Sequence, residues 1–171
     1  MKIGIIGAMD IEVEELINSM EDIKKETISG IDFYEGTLQG KNAVVAECGV
    51  GKVHAAVCTQ TMILKYAPDV IINTGVAGSL STDLDIADIV ISDGVVQHDF
   101  DVSPFGKPVG LISGIDLIKI PCNEELVKKL KNAAKVLEDT NVVVGTVASG
   151  DQFISSKEKK DYIINNFNAL C

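Results

Sequence analysis

Residues Lys2–Gly7, KIGIIG, form a run of β-branched side chains closed by glycine. Runs with the same unbroken Val/Ile character return at 69–73, 88–92 and 142–148. A strand that is apolar at successive positions needs cover on both faces, as in sheets sandwiched between helices. Helical spacing lies between these runs. Val13, Leu16, Ile17 and Met20 repeat at that spacing after the first run, with Asp10 placed to cap the helix. Val53, Ala56, Val57, Ile63 and Leu64 put an apolar face on a helix predicted over 52–66, ended by Pro68. Asn123 caps a third helix running to about Leu137, with Leu126, Val127, Leu130, Ala134 and Leu137 inward. Ser155 with Glu158 gives a capping box for a fourth.

Two further stretches, 31–38 and 43–48, flank Gly40-Lys41-Asn42 and predict an antiparallel hairpin. The alternation of strand and helix predicts a three-layer α/β fold, a central mixed β-sheet flanked by helices. With 171 residues and no linker, repeat or low-complexity tract, the expectation is one domain over 1–171. The stretch between Gly94 and Pro121 contains Pro104, Gly106, Pro108 and Gly110 and predicts a functional loop or protruding hairpin. Residues 167–171 leave the last helix and begin another apolar strand, so the expectation is a domain incomplete at its C-terminal end.

Charge and cysteines narrow the function classes. The net charge is −10, from 25 acidic against 15 basic residues, and every basic residue is lysine. Such a surface repels a phosphate backbone, so nucleic acid is not an expected partner. Cys48, Cys58, Cys122 and Cys171 form no CxxC pair, which fits reduced thiols in a cytoplasmic protein. The N-terminal apolar run is broken by glycine, too short to span a membrane, and lacks a signal-peptide cleavage pattern. No membrane association is expected.

Three places carry candidate chemistry. Glu12 falls in the first turn of the first helix, beside the carboxyl end of the first strand, where open α/β sheets hold ligands. An acidic residue there is also favoured by the helix dipole alone, worth about 0.3–1 kcal/mol, so both readings stand. The segments 73–79, NTGVAGS, and 149–154, SGDQFI, each follow a strand. Their glycines permit close backbone approach, and Phe153 offers a ring for stacking. Gly4 and Gly7 lack the third glycine of a dinucleotide fingerprint, so no such cofactor is expected. His98, Asp99 and Asp101 supply too few donors for a closed ligand set, so no metal is expected either.

Taken in order, GIIGAMDIEVE at 4–14, GVGKVHAA at 49–56, DVIINTGVAGSL at 69–80, DIVISDGVVQHDFDVSPFG at 88–106 and SGDQFI at 149–154 resemble the methylthioadenosine/S-adenosylhomocysteine nucleosidases of the nucleoside phosphorylase superfamily. The resemblance implies an α/β homodimer acting on adenine nucleosides without a cofactor. It implies that Glu12 acts on the attacking water and that Met9 lies near the sugar. Val50 then sits at the edge of the sugar and alkylthio pocket, and Phe153 and Ile154 contact adenine by stacking and through the backbone. Val76 and Gly78 match the loop beneath the site, although many relatives carry serine at the position of Val76. Phe105 matches a residue that reaches the partner subunit's pocket. Relatives continue past the position of Cys171 into a Glu-Met-Glu segment that grips the ribose and a Ser-Asp pair that protonates the purine. On that ground the 171 residues by themselves are expected to be nearly inactive. Two alternatives remain: a phosphate-dependent purine nucleoside phosphorylase, disfavoured because no arginine is present to fork a phosphate, and a non-catalytic adenine-nucleoside binding or dimerisation module.

Overall fold

A computed structural model describes residues 1–171. It resolves into two compact units, Met1–Val76 and Ala77–Cys171. The α/β architecture with mixed sheets and four flanking helices is observed, and hydrogen bonding divides the strands into a five-stranded and a three-stranded sheet.

In the first unit the elements run β1 (Lys2–Gly7), α1 (Asp10–Asn18), β2 (Met20–Ile28), β3 (Ile31–Leu38), β4 (Lys41–Glu47), α2 (Lys52–Tyr66) and β5 (Val70–Asn73). The sheet order is β2-β3-β4-β1-β5, with β1 parallel to both β4 and β5 and the β2–β3–β4 meander antiparallel. The two-residue side-chain period explains why β1 after Lys2 and the Ala43–Ala46 stretch of β4 are apolar at successive positions. Ile5, Ala43 and Val45 face a cluster with Val13, Leu16 and Ile17 of α1. Ile6, Val44 and Ala46 face another with Cys58, Met62 and Tyr66 of α2. Gly4 clears the way for α2, because a Cβ there would fall 2.5 Å from the Met62 sulfur. The predicted hairpin is β3–β4, turned by Gln39 and Gly40 at positive φ.

Three expectations for this unit change. The cap of α1 is Met9 rather than Asp10, which is already helical. Met20 is buried, but as the first residue of β2, since α1 ends at Asn18. The apolar face of α2 is turned outward. Val53, Ala56, Val57, Ile63 and Leu64 are exposed, and the helix packs on the sheet through Ala55, Cys58, Met62 and Tyr66.

In the second unit, β6 (Ile89–Gln97), β7 (Lys119–Pro121), α3 (Glu124–Ala133), β8 (Val142–Ser149) and α4 (Lys157–Phe167) follow in order. The sheet is β7-β6-β8, with β6 antiparallel to β7 and parallel to β8. The predicted strand at 88–92 continues through a bulge between Ser92 and Gly94, so part of the stretch expected as loop is sheet. Asn123 caps α3 by accepting the Leu126 N–H at 3.0 Å. The α-helix stops at Ala133, however, with a 3-10 turn over Ala134–Val136, and Leu130 and Leu137 are exposed rather than inward. Ser156, not Ser155, caps α4 by accepting the Lys159 N–H. From α4, Ile163 and Phe167 join Val96 and Ala169 in the core of this unit. Residues after α4 begin strand-like pairing with β8, through Leu170 N–H to Thr146 O and Ala148 N–H to Cys171 O.

Candidate active site

The parallel strands β1, β4 and β5 end in register, with Gly7 opposite Glu47 and Ile6 opposite Asn73. The ladder extends one step into each departing loop, through Cys48 N–H to Gly7 O at 2.8 Å and Thr74 N–H to Ile6 O at 3.0 Å. Three loops therefore leave one sheet edge side by side, and they carry Met9, Val50 and Val76. Val50 and Val76 are 70% and 77% exposed, so both present apolar side chains to solvent at this edge.

Glu12 is drawn into the same edge. One carboxylate oxygen, Oε2, accepts the N–H groups of Ala8 at 2.7 Å and Met9 at 3.0 Å, while Oε1 accepts the N–H of Val76 at 2.9 Å. The contacts to Ala8 and Met9 satisfy donors at the start of α1. The contact to Val76 comes from a segment 64 residues away and serves no helix-capping purpose. A carboxylate has about four acceptor sites; three are taken, which leaves one on Oε1. The arrangement fixes the carboxylate and keeps one lone pair for a further donor such as water.

Two glycines make room for it. A Cβ at Gly7 would meet the Val13 and Glu12 side chains at 2.6 and 3.1 Å, and one at Gly75 would meet Oε1 of Glu12 at 2.7 Å. Next to this edge, His54 Nδ1 pairs with Val50 O at 2.7 Å, and Gly49, at φ +84°, lies under the His54 ring. The Cys48 thiol donates to Gly49 O, and burial pushes its pKa up.

The remaining predicted residues belong to the second unit. Gly78 is exposed with open space around its α-carbon. Phe105 ends a 3-10 turn over Ser103–Phe105 and is 85% exposed. Phe153 is 93% exposed, while the adjacent Ile154 packs on the core cluster of this unit. No three His, Cys, Asp or Glu side chains converge, at His98, Asp99 and Asp101 or elsewhere. His98 is instead buried against Gly150, and the Asp99 carboxylate accepts the Asp151 N–H. No helix is long and apolar enough to cross a membrane.

The sequence pattern of the phosphorylase superfamily matches residues 2–171. The 5′-methylthioadenosine/S-adenosylhomocysteine nucleosidase of Shewanella loihica is 45% identical over 170 residues, covering 99% of this chain and 74% of its own. The chain belongs to the methylthioadenosine/S-adenosylhomocysteine nucleosidase family. Solved structures agree with membership of this nucleosidase family. The Neisseria meningitidis nucleosidase in complex with methylthio-immucillin-A matches with a TM-score of 0.94 at 37% identity, over 99% of this chain and 73% of that one. The futalosine hydrolase of Helicobacter pylori, in a mutant form, matches with a TM-score of 0.92 at 36% identity, over 99% of this chain and 76% of that one.

Proposed function

We propose that residues 1–171 form a single nucleosidase domain for hydrolysis of the N-glycosidic bond of 5′-methylthioadenosine and S-adenosylhomocysteine to adenine and the 5-thioribose product, supplying Glu12 for the water but neither the Glu-Met-Glu ribose grip nor the Ser-Asp proton donor that the resemblance implies, so that these residues by themselves turn over little substrate. The observation that carries this reading is the Glu12 carboxylate, oriented by three backbone N–H groups with one acceptor site left on Oε1. Cleavage passes through an oxocarbenium-like sugar, so the chemistry needs a group that takes the proton of water as its oxygen bonds to the anomeric carbon. Glu12 takes that proton. The purine leaves with the electron pair of the broken C–N bond and needs a proton that Glu12 does not supply, the role that the resemblance gives to a Ser-Asp pair past the position of Cys171.

Met9 lies near the sugar and Val50 at the edge of the sugar and alkylthio pocket, with Val76 and Gly78 in the loop beneath. Phe153 stacks on adenine, and Ile154 meets it through its backbone. Phe105 contributes to the pocket of the partner subunit. Homodimerisation is supported by the outward apolar face of α2, where Val53, Val57, Ile63 and Leu64 form an exposed stripe. The cytoplasm is the proposed compartment, supported by four free thiols. The absence of arginine supports water over phosphate as nucleophile, and the net charge of −10 speaks against nucleic acid as a partner.

The test is adenine release from each thioadenosine in phosphate-free buffer. Whatever release occurs is expected to be independent of added phosphate; release that requires phosphate and yields a ribose 1-phosphate overturns the reading. The match to a futalosine hydrolase favours futalosine as a second substrate class, tested by release of that substrate's own nucleobase in the same phosphate-free buffer.

A further inference from the structure

The segment 149–154 is held at both ends, and between them the Gln152 Oε1 accepts a hydrogen bond from Lys159 Nζ at 2.9 Å. At its far end Ile154 packs on the cluster of Val96, Ile163, Phe167 and Ala169. At its near end three contacts converge from the residues just after β6. The His98 N–H donates to Ser149 O at 3.0 Å, and the Asp151 N–H donates to Oδ2 of Asp99 at 2.8 Å. The His98 ring lies against the α-carbon of Gly150 so closely that a Cβ there would fall 2.4 Å from Nε2 and 3.0 Å from the carboxyl carbon of Asp99. His98 is buried, so the ring is not free to swing aside. Between the two anchors Phe153 stands almost fully exposed.

A ring this exposed gains its aim mainly from its backbone, which is held by the turn at 149–151 on one side and by Ile154 and the Gln152–Lys159 bond on the other. We propose that His98 and Asp99 are positioning residues that clasp the Ser149–Gly150–Asp151 turn and thereby set how tightly Phe153 and Ile154 engage the purine. The proposal rests on the reading of Phe153 and Ile154 as the adenine contacts. It also explains why glycine stands at 150: the position has no room for a side chain while the clasp is closed. The pair touches no substrate atom in this account and acts only through the turn.

The experiment measures adenine affinity by titration calorimetry on the full chain, with Phe153→Ala, Asp99→Ala, Asp99→Asn and Gly150→Ala, each checked for folding by thermal unfolding. Loss of a charge-assisted hydrogen bond to a backbone donor weakens what depends on it by about ten-fold or more. Asp99→Ala is therefore expected to weaken adenine binding by about that factor. Asp99→Asn keeps an acceptor oxygen for the Asp151 N–H and is expected to restore most of it, a rescue that a general loss of stability would not show. Gly150→Ala attacks the clasp from the other side with Asp99 intact, and is expected to match Asp99→Ala; it decides the matter should Asp99→Ala fail to fold. Adenine affinity unchanged in folded Asp99→Ala or Gly150→Ala, with Phe153→Ala impaired, overturns the clasp. Unchanged affinity in Phe153→Ala overturns the purine reading itself, and the clasp's role in binding falls with it.

Discussion

Gly75 and Glu12 are fitted to one another: a Cβ at Gly75 would stand 2.7 Å from Oε1 and 3.0 Å from the carboxyl carbon of Glu12. The glycine sits where the loop after β5 passes over the carboxylate, and the next residue, Val76, donates its N–H to the same Oε1. A side chain at 75 would push away the oxygen that carries the remaining acceptor site. Gly75→Ala is accordingly expected to lower kcat by about 10²-fold, the scale of an ångström-sized misplacement of a reacting group. Steady-state kinetics beside a thermal melt check it. A folded Gly75→Ala protein with normal kcat shows that the fit is not needed for turnover.

Glu12→Gln tests the carboxylate itself. An amide cannot take the proton of water, so kcat is expected to fall by at least about 10²-fold. The three N–H donors add a structural consequence. Glutamine offers one oxygen and one NH₂, so one donor must face another donor, at a cost on the order of 1–3 kcal/mol where water cannot intervene. A helix-dipole charge alone would cost a few tenths. Near-normal turnover with lowered stability would leave Glu12 as a cap only.

The sequence made Glu12 legible because two local signals coincide there, the end of an apolar strand and the first turn of a helix. Its partners were not legible, because the donors at Ala8, Met9 and Val76 are backbone N–H groups that any residue carries. Strand β2 escaped notice for a different reason: MEDIKKETI is charged along most of its length and only Met20 is buried. That composition suits an edge strand that resists further pairing, yet it looks like loop when apolar alternation is the signal. On α2 the periodicity of Val53, Ala56, Val57, Ile63 and Leu64 was correct, but a face can be apolar and still point outward. Small and adaptable residues, Ala55, Cys58 and Met62, were the inward ones. His98 and Asp99 stand out in the sequence as polar groups, but their contacts with Ser149, Gly150 and Asp151 leave no trace there because they fall on backbone atoms.

The outward stripe on α2 gives a prediction about assembly. Val53 and Leu64 are among its most exposed members, and water-exposed apolar patches of this kind mark interaction surfaces. If the proposed homodimer forms through this face, Leu64→Glu combined with Val57→Lys, which places charges on the apolar stripe, shifts the sedimentation coefficient to that of a monomer. The melting temperature of the monomer should stay within a few degrees at low protein concentration, because neither side chain belongs to the core. An unchanged sedimentation profile removes α2 from the interface.

Alkaline stability offers a test of the core beneath that helix. Burial pushes the Cys58 thiol from an ordinary 9.0 up to about 12, with the neighbouring Cys48 adding to the effect. Burial, followed by the nearby Glu26 carboxylate, pushes the Tyr66 hydroxyl from 10.0 up to about 12. Both groups are neutral in the folded chain at a pH where the unfolded chain has already released their protons. The folded state therefore binds more protons between about pH 9 and 12, and stability falls as pH rises through that window. Below pH 9 both states hold these protons and the two groups contribute no slope. Denaturant midpoints between pH 8 and 11 are expected to decline, and Cys58→Ala should flatten part of that decline even though the cavity it leaves lowers stability at every pH. The same burial keeps the Cys58 thiolate scarce, so iodoacetamide at pH 8 should label this residue only in denaturant. Rapid labelling of Cys58 in the native chain, read by peptide mass, would mean that α2 opens readily from the sheet and that the inward face formed by Ala55, Cys58, Met62 and Tyr66 is not the stable core described for it.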